Sequence, residues 1–284
     1  MNSWPEYKYL KVEVDEGVAL VTLNRPDVKN ALNLAMIGEW SDAMWALDAE
    51  EDVRVIVVTG AGSEFCAGID LSEGTTTFDE AAHEEHNREL KVTDDEITER
   101  FAFWTMRTPT IAAINGAAIG GGVTLTLVFD IRIAAEDAKI RFPFVQMNIV
   151  PEANSTWMLP RLVGVSRALE LFLTGRTVTG AEAAQMGLVS RAVPTAQVLP
   201  VALELARQIA TYAAPMATGV TKELVYRALE SGDRRGIMSA EGRLIWWAGT
   251  QPDTAEGLRA LTTRDVPHFT QSKHTAIPDG LFPD

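Results

Sequence analysis

From Thr108 to Phe129 the chain reads TPTIAAINGAAIGGGVTLTLVF, with no charged side chain. A helix of about 20 apolar residues crosses a bilayer, so the stretch is long enough to do so. Its middle, however, holds Asn115 and four glycines, and each glycine inside a helix costs about 1 kcal/mol relative to alanine. The stretch therefore reads as a buried strand, a glycine turn and a buried helix. A chain that buries a strand and a helix around one turn needs layered helices and sheet, which is an α/β arrangement.

The remaining pattern agrees. Leu10, Val12 and Val14 alternate with polar residues, DEG turns, and VALVTLN returns, which predicts a hairpin. Leu34, Ile37, Met44 and Leu47 keep helical spacing with Trp40 near the same face, so Asn33 to Ala49 should be an amphipathic helix with Asn33 near its cap. VRVIVVTG, TIAAING, IRIAA and a segment near GLVSRAV read as further strands with helices between them. Beyond Pro194 the strands stop, and ALELARQIATYA, MATGVTKELVYRALES, RRGIMSAEGRLIWWAG and DTAEGLRALT read as successive helices. The expected division is a core over 1–194, a helical region over 195–269 and an extended tail over 270–284. At 284 residues and 46% apolar composition the chain can bury one large core.

Several functions are disfavoured. A formal charge of −14 opposes nucleic-acid and anionic-membrane partners. The single cysteine, Cys66, allows no internal disulfide and reads as a small buried hydrophobe. The first residues, MNSWPEYKYLKVEV, lack the basic and apolar regions of a secretory signal, so a cytoplasmic protein is expected. His83 and His86 in HEEHN have no further ligand nearby in sequence and read as a solvated helix face, so no metal is expected. No lysine follows the glycines as in a phosphate loop, GAGSEF lacks the third dinucleotide glycine, and no G-x-S-x-G elbow is present.

Two glycine turns remain, FCAGID after the strand ending at Gly60 and NGAAIGGG after the strand ending at Ile114. Both lie at carboxyl ends of strands, where α/β folds place ligands. Gly120, Gly121 and Gly122 at a helix start leave backbone N–H groups for an anionic oxygen. Equally, the glycines permit close packing. A third feature is Glu152, in NIVPEANSTW between apolar segments: either it is solvated at a turn, or it is buried with a raised pKa and has a chemical role.

These residues resemble the enoyl-CoA hydratase/isomerase family, the crotonase superfamily. The resemblance runs through VALVTLNRPDVKNAL, VIVVTGAGSEFCAGIDL, TIAAINGAAIGGGVTLTLVFDIRIAAEDAKI and PRLVGVSRALELFLTGRTVTGAEAAQMGLVSRAV, and more weakly EGLRALTTRDVPHF. It implies an α/β spiral of strand-strand-helix units, with C-terminal helices that assemble trimers or hexamers. It implies an acyl-CoA thioester as ligand, with coenzyme A entering as part of the substrate and no permanently bound cofactor. The backbone N–H groups of Ile69 and Gly121, beside Gly120, match the pair that stabilises a thioester enolate. Backbone at Cys66, Ala67 and Gly68 matches the adenine-recognising turn, and Arg25 and Lys29 match the region that approaches the nucleotide phosphates. Asp70 borders that turn and, with Asp130, reads as structural. Arg264 is a weaker counterpart, because TTRD departs from the family's Glu-Lys-Arg.

Thr124 and Phe144 occupy the positions where the resemblance places the two glutamates of hydratases. Neither exchanges protons near neutral pH, so a two-glutamate hydration is not expected, and substitution of Thr124 should matter far less than substitution of Glu152. Glu152, after IVP, matches the single catalytic glutamate of Δ3,Δ2-enoyl-CoA isomerases. Asn154, Ser155 and Trp157 are candidates for shaping the acyl pocket, although packing explains Trp157 equally well. Glu73 and Asp79, in the acidic stretch after the first turn, are candidates for a second carboxylate, though such charges are usually a solvated face. Double-bond isomerisation is therefore expected. Hydration at an atypical site, β-diketone hydrolysis and noncatalytic acyl-CoA binding are the alternatives.

Overall fold

The structure is a computed structural model that describes residues 5–72 and 99–282. Strands β1 (Leu10–Asp15) and β2 (Val18–Leu23) form the expected antiparallel hairpin, with Asp15 opposite Val18. Glu16 and Gly17 between them both have positive φ, the geometry that matches a tight hairpin turn to strand twist. From β2 onward the sheet is parallel: β3 (Val55–Gly60), β4 (Thr110–Ile114), β6 (Ile131–Ala135) and β9 (Arg191–Val193) follow in space as β1-β2-β3-β4-β6-β9. Every residue of β3 and β4 is buried, as parallel strands covered on both faces require. A smaller sheet joins β5 (Ala118–Ile119), β7 (Lys139–Arg141) and β8 (Val178–Thr179).

Helix α1 (Leu34–Ala49) begins at Asn33, whose side chain accepts the Met36 N–H. Its buried Trp40 meets Phe129 edge to face. The uncharged stretch divides into the expected strand β4 and the short helix α2 (Gly121–Leu127), whose residues after the first are all buried, with the two-residue strand β5 lying in the expected turn. Helices α3 (Ser155–Val163), α4 (Val165–Thr174) and α5 (Gly180–Met186) follow. Helix α6 (Val198–Tyr212) lies across β2, β3, β4 and β6 and buries Ala202, Ala206 and Ala210, a stripe of small residues that allows close approach. None of the described helices is long and apolar enough to cross a membrane.

The chain then forms α7 (Pro215–Glu230), α8 (Arg234–Gly249) and α9 (Pro252–Thr263). Asp130, read as structural, joins this region to the core: it pairs with the buried Lys222 at 2.9 Å and accepts from Thr110 and Tyr226. The outer faces of α8 and α9 leave Met238, Ile245, Trp246, Leu258 and Leu261 exposed. Residues 270–282 form neither helix nor strand. They are nonetheless pinned to the N-terminal half, where the buried Lys273 donates to the Val53 carbonyl and the Thr108 hydroxyl, both at 2.8 Å.

Candidate active site

The two glycine turns are one structure. Cys66 donates its N–H to the Ala117 carbonyl and accepts from Ile119 N–H, so the first turn pairs with the second backbone to backbone. On its other side the first turn pairs with Leu32, which donates to the Gly68 carbonyl and accepts from the Asp70 N–H. Leu32 spends both its main-chain groups on residues 68 and 70, so the N–H of Ile69 points away from that pairing. Among the described residues, the N–H groups of Ile69 and Gly121 have no hydrogen-bond partner.

The glycines serve different ends. At Gly68, φ is +92° and a Cβ would lie 2.5 Å from the Ile119 carbonyl. At Gly122 a Cβ would lie 2.3 Å from the Cys66 carbonyl, so this glycine exists for packing. Gly120 has positive φ, which turns the chain into α2. Gly121 is different again, because a Cβ there would meet the tip of Leu32 at 3.3 Å and a Glu152 carboxylate oxygen at 3.9 Å. Close packing therefore accounts for Gly122 and not for its neighbour Gly121.

Glu152 is brought to Gly121 by a strained corner. Ala153 and Asn154 both have positive φ, and the Ser155 N–H closes the turn onto the Glu152 carbonyl before α3 begins. The Glu152 side chain is hydrogen-bonded to the hydroxyl of Thr124, which is fully buried on α2. Glu152 is an exposed residue of a turn, while neighbouring protein crowds its carboxyl group. Desolvation there raises its pKa, and the Thr124 hydrogen bond partly opposes the rise. The hydroxyl of Ser155 is buried without a hydrogen-bond partner among the described residues.

The other predicted residues are placed as follows. Arg25 donates to the Ala31 carbonyl at 2.5 Å, pairs with Asp70 at 3.0 Å and lies over Tyr9, so it braces the turn from the side. The Ser72 hydroxyl and N–H, and then Arg25, hold the Asp70 carboxyl below its ordinary range. Lys29 is exposed, and its carbonyl accepts from Ala67 N–H. Burial pushes the Cys66 thiol up to about 12, which leaves it an inert packing group. Phe144 is buried in the main core and Trp157 packs against it under Arg161. Arg264 ends α9, exposed, with no hydrogen bond to these residues among those described. Glu73, Asp79, His83 and His86 lie outside the described residues.

Two residues escaped the sequence reading. Asn30, fully buried with positive φ, donates to the carbonyls of Ala61 and Glu64 and accepts from Arg25 N–H. Glu64 accepts the Ala117 N–H and so ties the first turn to the second. Periodicity carries no signal for either. The hint at Asn30 was a short polar side chain beside an apolar helix start, where left-handed backbone is tolerated.

A spiral α/β core whose two glycine turns pair with each other, with a carboxylate beside the second, defines a crotonase-type protein. Comparison with known proteins agrees: the profile of the enoyl-CoA hydratase/isomerase family matches residues 13–272, and the chain belongs to that family of acyl-CoA enzymes. Enoyl-CoA hydratase ACTT3 of Alternaria alternata is 37% identical over 284 residues, covering 99% of this chain and 92% of that protein. The crystal structure of enoyl-CoA hydratase from Bacillus anthracis superposes with a TM-score of 0.82 at 33% identity, over 92% of this chain and 99% of that one. The Geobacillus kaustophilus enoyl-CoA hydratase subunit I gives 0.82 at 32% identity, over 93% and 99%.

Proposed function

We propose that this enzyme shifts a carbon-carbon double bond of an enoyl-CoA from the Δ3 to the Δ2 position, with Glu152 as its acid-base residue. The observation that carries the reading is the carboxylate of Glu152 beside Gly121, where desolvation by neighbouring protein raises its pKa. The thioester oxygen accepts from the N–H groups of Ile69 and Gly121. Glu152 removes a proton from C2, the C–H electrons pass into the enolate, and the same proton returns to C4 as the double bond moves. Each preorganised donor at the developing oxyanion is worth about 3 kcal/mol. The turn at Cys66, Ala67 and Gly68 receives the adenine, and the exposed Lys29 meets the phosphates. Residues 195–269 serve assembly, with the apolar faces of α8 and α9 covered by further copies in a trimer or hexamer.

Hydration is the second reading, favoured by the relatives that bear the name enoyl-CoA hydratase. In it Glu152 alone would manage the water, because Thr124 and Phe144 supply no second carboxylate. The two separate in deuterated water: 3-enoyl-CoA and 2-trans-enoyl-CoA are offered separately and products followed by mass. Isomerisation converts the first to the second without added water. Formation of 3-hydroxyacyl-CoA from the second, with no conversion of the first, would establish hydration instead. Glu152→Gln should lower the isomerisation rate at least about a hundredfold.

A further inference from the structure

The hydroxyl of Thr124 has two partners and one proton. Its Oγ1 lies 3.2 Å from the Gly120 carbonyl, one turn back on the same helix, and hydrogen-bonds Oε1 of Glu152. An ionised carboxylate only accepts, so while Glu152 is charged the hydroxyl proton must point to Oε1. The Gly120 carbonyl is the ordinary helical alternative for a threonine hydroxyl and gives it a second resting place. Thr124 is fully buried in α2, so the hydroxyl is held by the fold rather than by solvent.

We infer that Thr124 is a positioning residue for Glu152: its hydroxyl holds Oε1 and leaves Oε2 as the oxygen that exchanges protons with the substrate. The inference rests on the acid-base role given to Glu152 above. When Oε2 takes the proton from carbon, Oε1 becomes the carbonyl oxygen of a neutral acid and a weaker acceptor, and the Thr124 proton can turn to Gly120. When the proton returns to carbon, the hydroxyl turns back. Thr124 thus favours the ionised form of the base and keeps one of its two oxygens committed, which restricts rotation of the carboxyl group. A position where the resemblance places a hydratase glutamate supports the Glu152 carboxylate instead.

The test compares Thr124→Val, which keeps shape and loses the hydroxyl, with Thr124→Ser, which keeps the hydroxyl. Two quantities are read in the full chain: the pH profile of kcat on whichever enoyl-CoA is converted, and the titration of the Glu152 carboxyl by carbon-13 NMR without substrate. Thr124→Val should lower kcat about tenfold with KM little changed, and should move the rising limb and the carboxyl titration upward by about one pH unit, as expected for loss of a hydrogen bond to a charged group. Thr124→Ser should restore both. If Thr124→Val does not fold, Thr124→Ala set against Thr124→Ser gives the same comparison. An unmoved carboxyl titration in the variants without hydroxyl, or a serine variant that behaves like valine, overturns the inference. Full activity in Glu152→Gln would instead overturn the acid-base reading, so the two failures are distinguishable.

Discussion

Adjacent glycines Gly121 and Gly122 should respond in opposite ways to the same substitution. A Cβ on Gly122 would sit 2.3 Å from the Cys66 carbonyl oxygen and 2.8 Å from the Cys66 Cβ. Ordinary contact begins about 1 Å further out, and Cys66 cannot yield, because its N–H and carbonyl are both bound to the second turn. Separating the turns costs about 1–3 kcal/mol in overpacking and about 1 kcal/mol for each of the two hydrogen bonds broken. Gly122→Ala should therefore lose about 3–5 kcal/mol and melt about 10 °C lower, at roughly 2–4 °C per kcal/mol for a chain of this size. At Gly121 the nearest atom is the flexible tip of Leu32 at 3.3 Å. A gain of about 0.5–1 kcal/mol in helix propensity offsets the small shift that Leu32 must make. Gly121→Ala should melt within about 2 °C of the parent and, with its N–H kept, turn over within about tenfold of it. Thermal unfolding followed by circular dichroism on both variants decides the matter. Equal losses of stability, or an unaffected Gly122→Ala, would refute the division of the glycine run into a packing residue and a site residue.

Lys29→Glu should weaken acyl-CoA binding in a salt-dependent manner without lowering the melting temperature, whereas Arg25→Ala should lower the melting temperature because it releases Asp70 and the Ala31 carbonyl; calorimetric titration and melting read the two effects. Burial depresses the Lys273 pKa from 10.5 to about 8, so between about pH 8 and 10.5 the unfolded chain binds the extra proton and stability should rise with pH, by up to about 3 kcal/mol. Because tyrosines titrate in the same window, the measurement is the difference between the parent and Lys273→Met in denaturant unfolding; parallel curves would refute it. Trp246→Glu together with Leu261→Glu should yield smaller species by ultracentrifugation than the parent, since both residues are 80% exposed in the single chain and are proposed to be covered in the assembly.

What the sequence revealed depended on how local the cause was. The hairpin, α1 with its Asn33 cap and the strand-turn-helix of the uncharged stretch follow from spacing and turn chemistry within a few residues, and all were legible. Glu152 stood out as a carboxylate between apolar segments, where the sequence left a solvated turn and a chemical role both open. Partner choice was not legible. Arg25 matches by resemblance a region that approaches nucleotide phosphates, and only the fold brings Asp70, 45 residues away, within 3.0 Å of it. Thr124 carries no charge and lies among apolar neighbours, so nothing in its surroundings points to Glu152, 28 residues on. The division of labour among the three glycines depended on the position of Cys66, which no periodicity reports.

The seat of Lys273 also sets an order of events during synthesis. Its ammonium group is bound by the carbonyl of Val53, 220 residues earlier in the chain. At about 5–20 residues per second, the lysine leaves the ribosome on the order of ten to forty seconds after β3 has emerged. Throughout that interval the nascent sheet holds the Val53 carbonyl without its final partner, and Thr108, 165 residues before Lys273, waits for a shorter time. A chain arrested before residue 273 therefore lacks the group that closes the Val53 carbonyl and the Thr108 hydroxyl.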